Sequence, residues 1–189
     1  MELRSLSGGF ENAPIDASRA FRAVLNAMAR PGVIEPITGA QGPAPMSSAM
    51  ATVMLTLCDP ETPIYLAASH DTPDIRDWIA FHIGAPIVTA DKAAFAIGTW
   101  DTLCPVTQFP IGTSEYPDQS ATVIVDVEHL DQHGATLRGP GIKDTAQLNL
   151  PDVVAFQMNA VLFPLGLDFI LTAGDQVAAL PRTTKVEVV

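Results

Sequence analysis

The chain has 189 residues, 48% of them apolar, and a formal charge of −11 from 21 acidic against ten basic side chains. That length and apolar share suit one hydrophobic core, and ten scattered Lys and Arg residues do not form the basic stripe that nucleic-acid phosphates require, which argues against such a partner. Pro, Gly and charges break every apolar run before the about 18 residues of a membrane span. Cys58 and Cys104 fit neither a disulfide framework nor paired metal-ligand spacing, so both are expected to be reduced, partly buried thiols. The first residues lack a basic stretch followed by an apolar one, so no leader and a cytoplasmic location are expected.

The first helix is predicted over Ala17 to Ala29, with Asp16 as N-cap and Phe21, Val24, Leu25 and Met28 as the stripe that packs on the core. Arg30 suits its negative end and Pro31-Gly32 stops it. Val33 to Thr38 reads as a strand and Gly39 to Pro45 as a loop. Ser48 to Leu57 is helical again and ends near Asp59-Pro60, because a residue before proline is pushed out of the helical region. Pro63 to Ala67 reads as a strand. Thr72-Pro73-Asp74 opens a third helix as cap, first-turn proline and dipole-matched acid, with Ile75, Trp78 and Ile79 inward. Pro86 to Thr89, Phe95 to Ile97 and Ala121 to Val127 are β-rich. The long connection from Pro105 to Gln119 is expected to be mobile or to contact a partner. Thr136 to Arg138 is a further strand, Pro151 to Val161 a last helix, and Phe163 to Thr172 a strand that turns at Ala173 to Gln176 into a hairpin. The predicted fold class is α/β: a single domain, residues 1–189, with helices packed on a mixed, mainly central β-sheet.

Chemistry-bearing residues are sparse. Arg182-Thr183-Thr184 joins a guanidinium to two hydroxyls and suits either an anion-binding corner or a structural turn. Arg138-Gly139-Pro140-Gly141 could cradle a phosphate by close backbone approach, or be a tight turn leaving a strand; it is not a Walker loop. Arg30 is open to the same two readings. Asp168, inside an apolar strand, needs a partner, and Arg182 across the hairpin is the simplest one. Among the dispersed histidines, His82 reads as a capping or core residue and no metal motif appears. No serine elbow or Cys-His arrangement suggests a nucleophile, so no catalytic residue is assigned.

The runs Ala20-Phe21-Arg22-Ala23-Val24-Leu25-Asn26-Ala27-Met28-Ala29-Arg30-Pro31-Gly32, Phe163 to Thr172 and Leu180 to Val186 resemble the PhnH family, a subunit of the bacterial carbon–phosphorus lyase system for phosphonate breakdown. Further matches are Leu55 to Asp59 with Thr62-Pro63, Phe81 to Pro86, Phe95-Ala96, Ala121-Thr122 and Leu137 to Ile142, in the family's order. The resemblance implies a reduced relative of the pyridoxal-phosphate-dependent transferase fold without its cofactor. It implies a role in making ribose 1-phosphonate 5-triphosphate from ATP and an alkylphosphonate. Its partners would be the other lyase subunits PhnG, PhnI, PhnJ and PhnL, with a homodimer in isolation, ATP or a phosphonate as candidate ligand, and no cofactor. The candidate anion- or substrate-binding residues are Arg182, Thr183, Thr184, Arg30, Arg138, Gly139 and Gly141. The alternatives are a stand-alone pyridoxal-type transferase, which would need a desolvated lysine that Lys92, Lys143 and Lys185 do not supply by context, and a ligand-free scaffold.

Overall fold

A computed structural model describes residues 7–188; the two ends of the expected 1–189 domain, and the first residues read as leaderless, lie outside the described residues. Helix α1 (Ala13–Ala29) leads to the short strand β1 (Glu35–Pro36), α2 (Ser48–Leu57), β2 (Ile64–Leu66) and α3 (Pro73–His82). The strand β3 (Phe95–Thr99), the one-turn helix α4 (Trp100–Leu103) and β4 (Thr122–Asp126) follow. After β5 (Ala135–Arg138) and β6 (Ala146–Leu148) come α5 (Val153–Val161), β7 (Asp168–Ala173), β8 (Gln176–Leu180) and β9 (Lys185–Glu187).

The main sheet has the order β1-β8-β7-β4-β3-β2, with β2, β3, β4 and β7 parallel and β7, β8 and β1 joined antiparallel. Its strands alternate between two cores, as a sheet covered on both faces requires. Ile97, Ile124, Ile170 and Val177 join α1, α2 and α3 on one face. Val123, Val125, Phe169, Leu171 and Leu180 face α4, α5 and the small antiparallel sheet β6-β5-β9 on the other. The mixed sheet with helices, one α/β domain, is the architecture the residues predicted.

Several boundaries follow from local chemistry. Thr72 accepts from the Ile75 N–H and Ser47 from the Met50 N–H, so α3 and α2 begin where a hydroxyl can satisfy an orphan donor. The expected β7–β8 hairpin is present and turns at Gly174, whose φ of +56° lies in the left-handed region.

Other expectations need correction. α1 starts four residues before the predicted Ala17, with Pro14 in its first turn; Asp16 is therefore inside the helix, where its carboxylate accepts from the Asn12 N–H at 2.8 Å. Its inward face is Ala20, Val24 and Ala27, while Phe21 and Leu25 are half exposed, because the small residues let α1 lie close on α2 and β8. The Val33 to Thr38 strand shrinks to two residues at the sheet edge, where Pro36 has no ladder proton to offer. Pro86 to Thr89 contributes one bridge, Ile87 to Ile64. The Pro105 to Gln119 connection, expected to be mobile or to contact a partner, is anchored at buried Phe109, at the Ile111–Ser120 bridge and at the Pro117 carbonyl, which leaves a partner contact open to the rest of it. Cys104 is exposed, whereas Cys58 is buried.

Candidate functional site

Most of the polar chemistry gathers at the carboxyl ends of the parallel strands, the edge where open α/β sheets hold ligands. Thr99, Asp126 and Thr172 are register partners in one row across β3, β4 and β7. The loop after β2 brings Ser69 and His70 to the same edge. The Ser69 Oγ lies 3.0 Å from His70 Nδ1 and 2.7 Å from Thr102 Oγ1, and accepts from the Thr99 N–H at 3.0 Å. Asp126 accepts from the Ser47 N–H at 3.0 Å and from the Thr172 hydroxyl at 2.9 Å, so its carboxylate also faces the positive end of α2. His70 is 1% exposed, and its Nε2, without a hydrogen bond, lies 3.5 Å from Asp126 Oδ2. Gly98 permits this convergence, since a Cβ there would lie 2.5 Å from the Ala67 Cβ and 3.2 Å from the hydroxyls of Ser69 and Thr102.

A proton on Nε2 would face the carboxylate and leave Nδ1 to accept from the Ser69 hydroxyl. In that tautomer the row links a partly buried hydroxyl through an imidazole to a carboxylate, an arrangement able to hold or move a proton at Ser69 Oγ. The sequence reading passed over it, since His70 carried no spacing signal and Ser69, Thr99 and Asp126 meet only through strand register.

The candidate anion residues fall in two places. Gly141, with φ +82°, lies so close to the end of α1 that a Cβ would sit 1.9 Å from the Ala29 carbonyl oxygen. A Cβ on Gly139 would sit 3.1 Å from the Thr183 carbonyl oxygen, and Arg138 is the register partner of Lys185. The Gly139–Gly141 turn thus brings Arg30, Arg138, Thr183 and Thr184 to one junction. Arg30 contacts Glu35 at 3.6 Å and Arg138 contacts Glu187 at 3.4 Å, both guanidiniums half exposed, while Thr184 is buried. The Arg182 side chain leaves this junction for the amino ends of β4 and β7. Its Nε donates to Asp168 at 3.2 Å and its Nη1 to the Pro117 carbonyl at 2.7 Å, and its Nη2 reaches Ser120 and Asp168. The expected Asp168 pair is therefore present through Nε and Nη2, and the Pro117 carbonyl takes the remaining nitrogen.

The two thiols differ. Burial, reinforced by the negative charge of Asp59, pushes Cys58 up to about 12. Cys104 is raised by its own desolvation and then by the nearby carboxylates of Asp152 and Asp101. Among the described residues no three His, Cys, Asp or Glu are grouped to hold a metal, and no helix is long and apolar enough to cross a membrane.

Comparison with known proteins adds a family match over residues 8–187 to a profile described as bacterial phosphonate metabolism protein (PhnH). A Rhizobium meliloti protein named alpha-D-ribose 1-methylphosphonate 5-triphosphate synthase subunit PhnH is 42% identical, across 96% of this chain and 95% of its own. A Stutzerimonas stutzeri protein named putative C-P lyase subunit protein HtxG is 32% identical, across 88% of this chain and 84% of its own.

Proposed function

The chain belongs to the PhnH family of bacterial phosphonate-metabolism proteins, and from that premise we propose that it is a subunit of a carbon–phosphorus lyase assembly. In that assembly it supports formation of ribose 1-phosphonate 5-triphosphate from ATP and an alkylphosphonate. The observation that carries the reading is the 42% identity to a synthase subunit along nearly the full length of both chains. We expect the assembly in the cytoplasm, where ATP is available.

Expected partners are PhnG, PhnI, PhnJ and PhnL, with self-association when the chain is isolated. The test is growth on methylphosphonate as sole phosphorus source. Deletion of the chain abolishes growth, the intact chain restores it, and tagged chain co-purifies with the co-encoded subunits. Growth without the chain, together with purification of the chain alone, overturns the reading.

The junction of Arg30, Arg138 and Gly139–Gly141 is the proposed anion contact of this subunit, since two half-exposed guanidiniums there sit beside closely approaching backbone. Calorimetry with ATP, phosphate and methylphosphonate checks it: heat that disappears in Arg30→Ala/Arg138→Ala supports the contact, and no heat from any of the three removes it. Schiff-base chemistry fits poorly, because Lys92, Lys143 and Lys185 are all exposed and an imine-forming amine needs desolvation to lower its pKa.

A further inference from the structure

Helix α5 presents Val154, Met158 and Val161 to solvent, and Leu162 and Phe163 continue the same exposed apolar surface; Val161 is 83% exposed. Beside them runs a groove of about 560 Å³ between α5 and the Cys104–Thr107 segment, floored by Pro105, Val106, Ile111, Leu162 and Leu167. Asn159 holds the groove's shape. Its side-chain amide donates to the Leu167 carbonyl and accepts from the Leu167 N–H, both at 2.8 Å.

Charge marks one end. Asp152 lines the groove together with Cys104, and Asp101, exposed in the one-turn helix that ends at Cys104, stands just outside the lining. Among the described residues, no Lys or Arg lines the groove. An apolar trough with an acidic end selects an apolar ligand that carries a positive charge at one end.

A second copy of this chain fits badly. Groove against groove would set two concave troughs face to face and leave both floors uncovered. The other exposed apolar helix, α1 with Ile15, Phe21 and Leu25, would enter the groove head to tail, a heterologous contact that propagates unless its rotation closes a ring. A different polypeptide has neither difficulty.

Resting on the subunit reading, we propose that this groove seats an amphipathic helix of another subunit of the assembly, with a Lys or Arg of that helix set against Asp101 and Asp152. The Pro105 to Gln119 connection then forms one wall of the interface and α5 the other.

Cys104 at the groove supplies the readout, because it is the exposed thiol and Cys58 is a buried internal control. The purified complex with the co-encoded subunits is treated with N-ethylmaleimide at pH 8.5 and compared with the isolated chain. Cys104 is expected to react at least about tenfold more slowly in the complex, since a seated helix excludes the reagent. Met158→Glu/Val161→Glu, at exposed positions that leave the isolated chain's melting temperature unchanged, is expected to weaken assembly by about a hundredfold. Asp101→Lys is expected to weaken it about tenfold and to flatten its salt dependence. A complex that forms with Cys104 still reacting at the free rate, and with Met158→Glu/Val161→Glu binding like wild type, overturns the groove assignment and leaves the subunit reading standing. Failure of the wild-type chain to assemble with any co-encoded subunit overturns both. Protection of Cys104 in the isolated chain, relieved by Met158→Glu/Val161→Glu, overturns the proposal by making a second copy the occupant.

Discussion

Arg182 and Arg30 show how one residue type serves two ends. The Arg182 guanidinium is 14% exposed and the Asp168 carboxylate 19%, so truncating the arginine leaves a poorly hydrated carboxylate without its partner. Arg182→Ala is expected to lower unfolding free energy by about 2–3 kcal/mol, below the range for fully buried pairs because both groups keep some water. Arg30→Ala, at a half-exposed pair, is expected to change it by under about 0.5 kcal/mol; urea midpoints of the two variants check the contrast. Cys58 gives a pH-dependent case. Folding favours its neutral thiol, so the folded pKa of about 12 exceeds the ordinary 9.0. Its contribution is fully present below pH 9 and is lost as pH rises from 9 toward 12. Unfolding curves at rising alkaline pH should fall more steeply for wild type than for Cys58→Ala.

Helix α5 illustrates how an element is held by its ends while its outer face stays free. Asp152 caps it by accepting from the Ala155 N–H at 3.1 Å, and Asn159 bonds both backbone groups of Leu167 after the turn. Asn159→Leu strands a buried donor and a buried acceptor. It is expected to destabilise by about 2–4 kcal/mol, read from thermal or urea unfolding. The exposed Met158→Ala should cost far less. Helix α3 was legible in the sequence because Thr72-Pro73-Asp74 is chemistry that acts within one turn. The three-residue strands β6 and β9 were not, since such short edge segments have no periodicity of their own and exist because β5 lies between them.

At the scale of the molecule, the two apolar clusters share every central strand, so neither can be lost while the other keeps its sheet. Each cluster holds one tryptophan, Trp78 with α3 and Trp100 with α4. Unfolding followed through Trp78→Phe and Trp100→Phe separately, each leaving one reporter, is expected to give coincident transitions once each variant's own stability is allowed for by circular dichroism. Fluorescence that departs from the circular dichroism curve in either variant would show that the faces unfold apart. The same sheet assembles the polar row: its strand ends put Thr99, Asp126 and Thr172 side by side, and the loops set Ser69 and His70 beside them.

The amino-acid sequence alone determined the features that act over a few residues: the starts of α2 and α3, the hairpin at Gly174, the alternation that gives β4 and β7 two apolar faces, and the class of fold these make together. Tertiary structure decided the rest. It chose Ala20, Val24 and Ala27 over Phe21 and Leu25 as the inward face of α1, because an apolar arc wider than the contact does not say which part will be covered. It also added the Pro117 carbonyl and Ser120 to the Asp168–Arg182 pair that the hairpin had already suggested, and drew His70 to Asp126. Strand register and loop closure set those distances, and residues far apart in the chain carry no local trace of them.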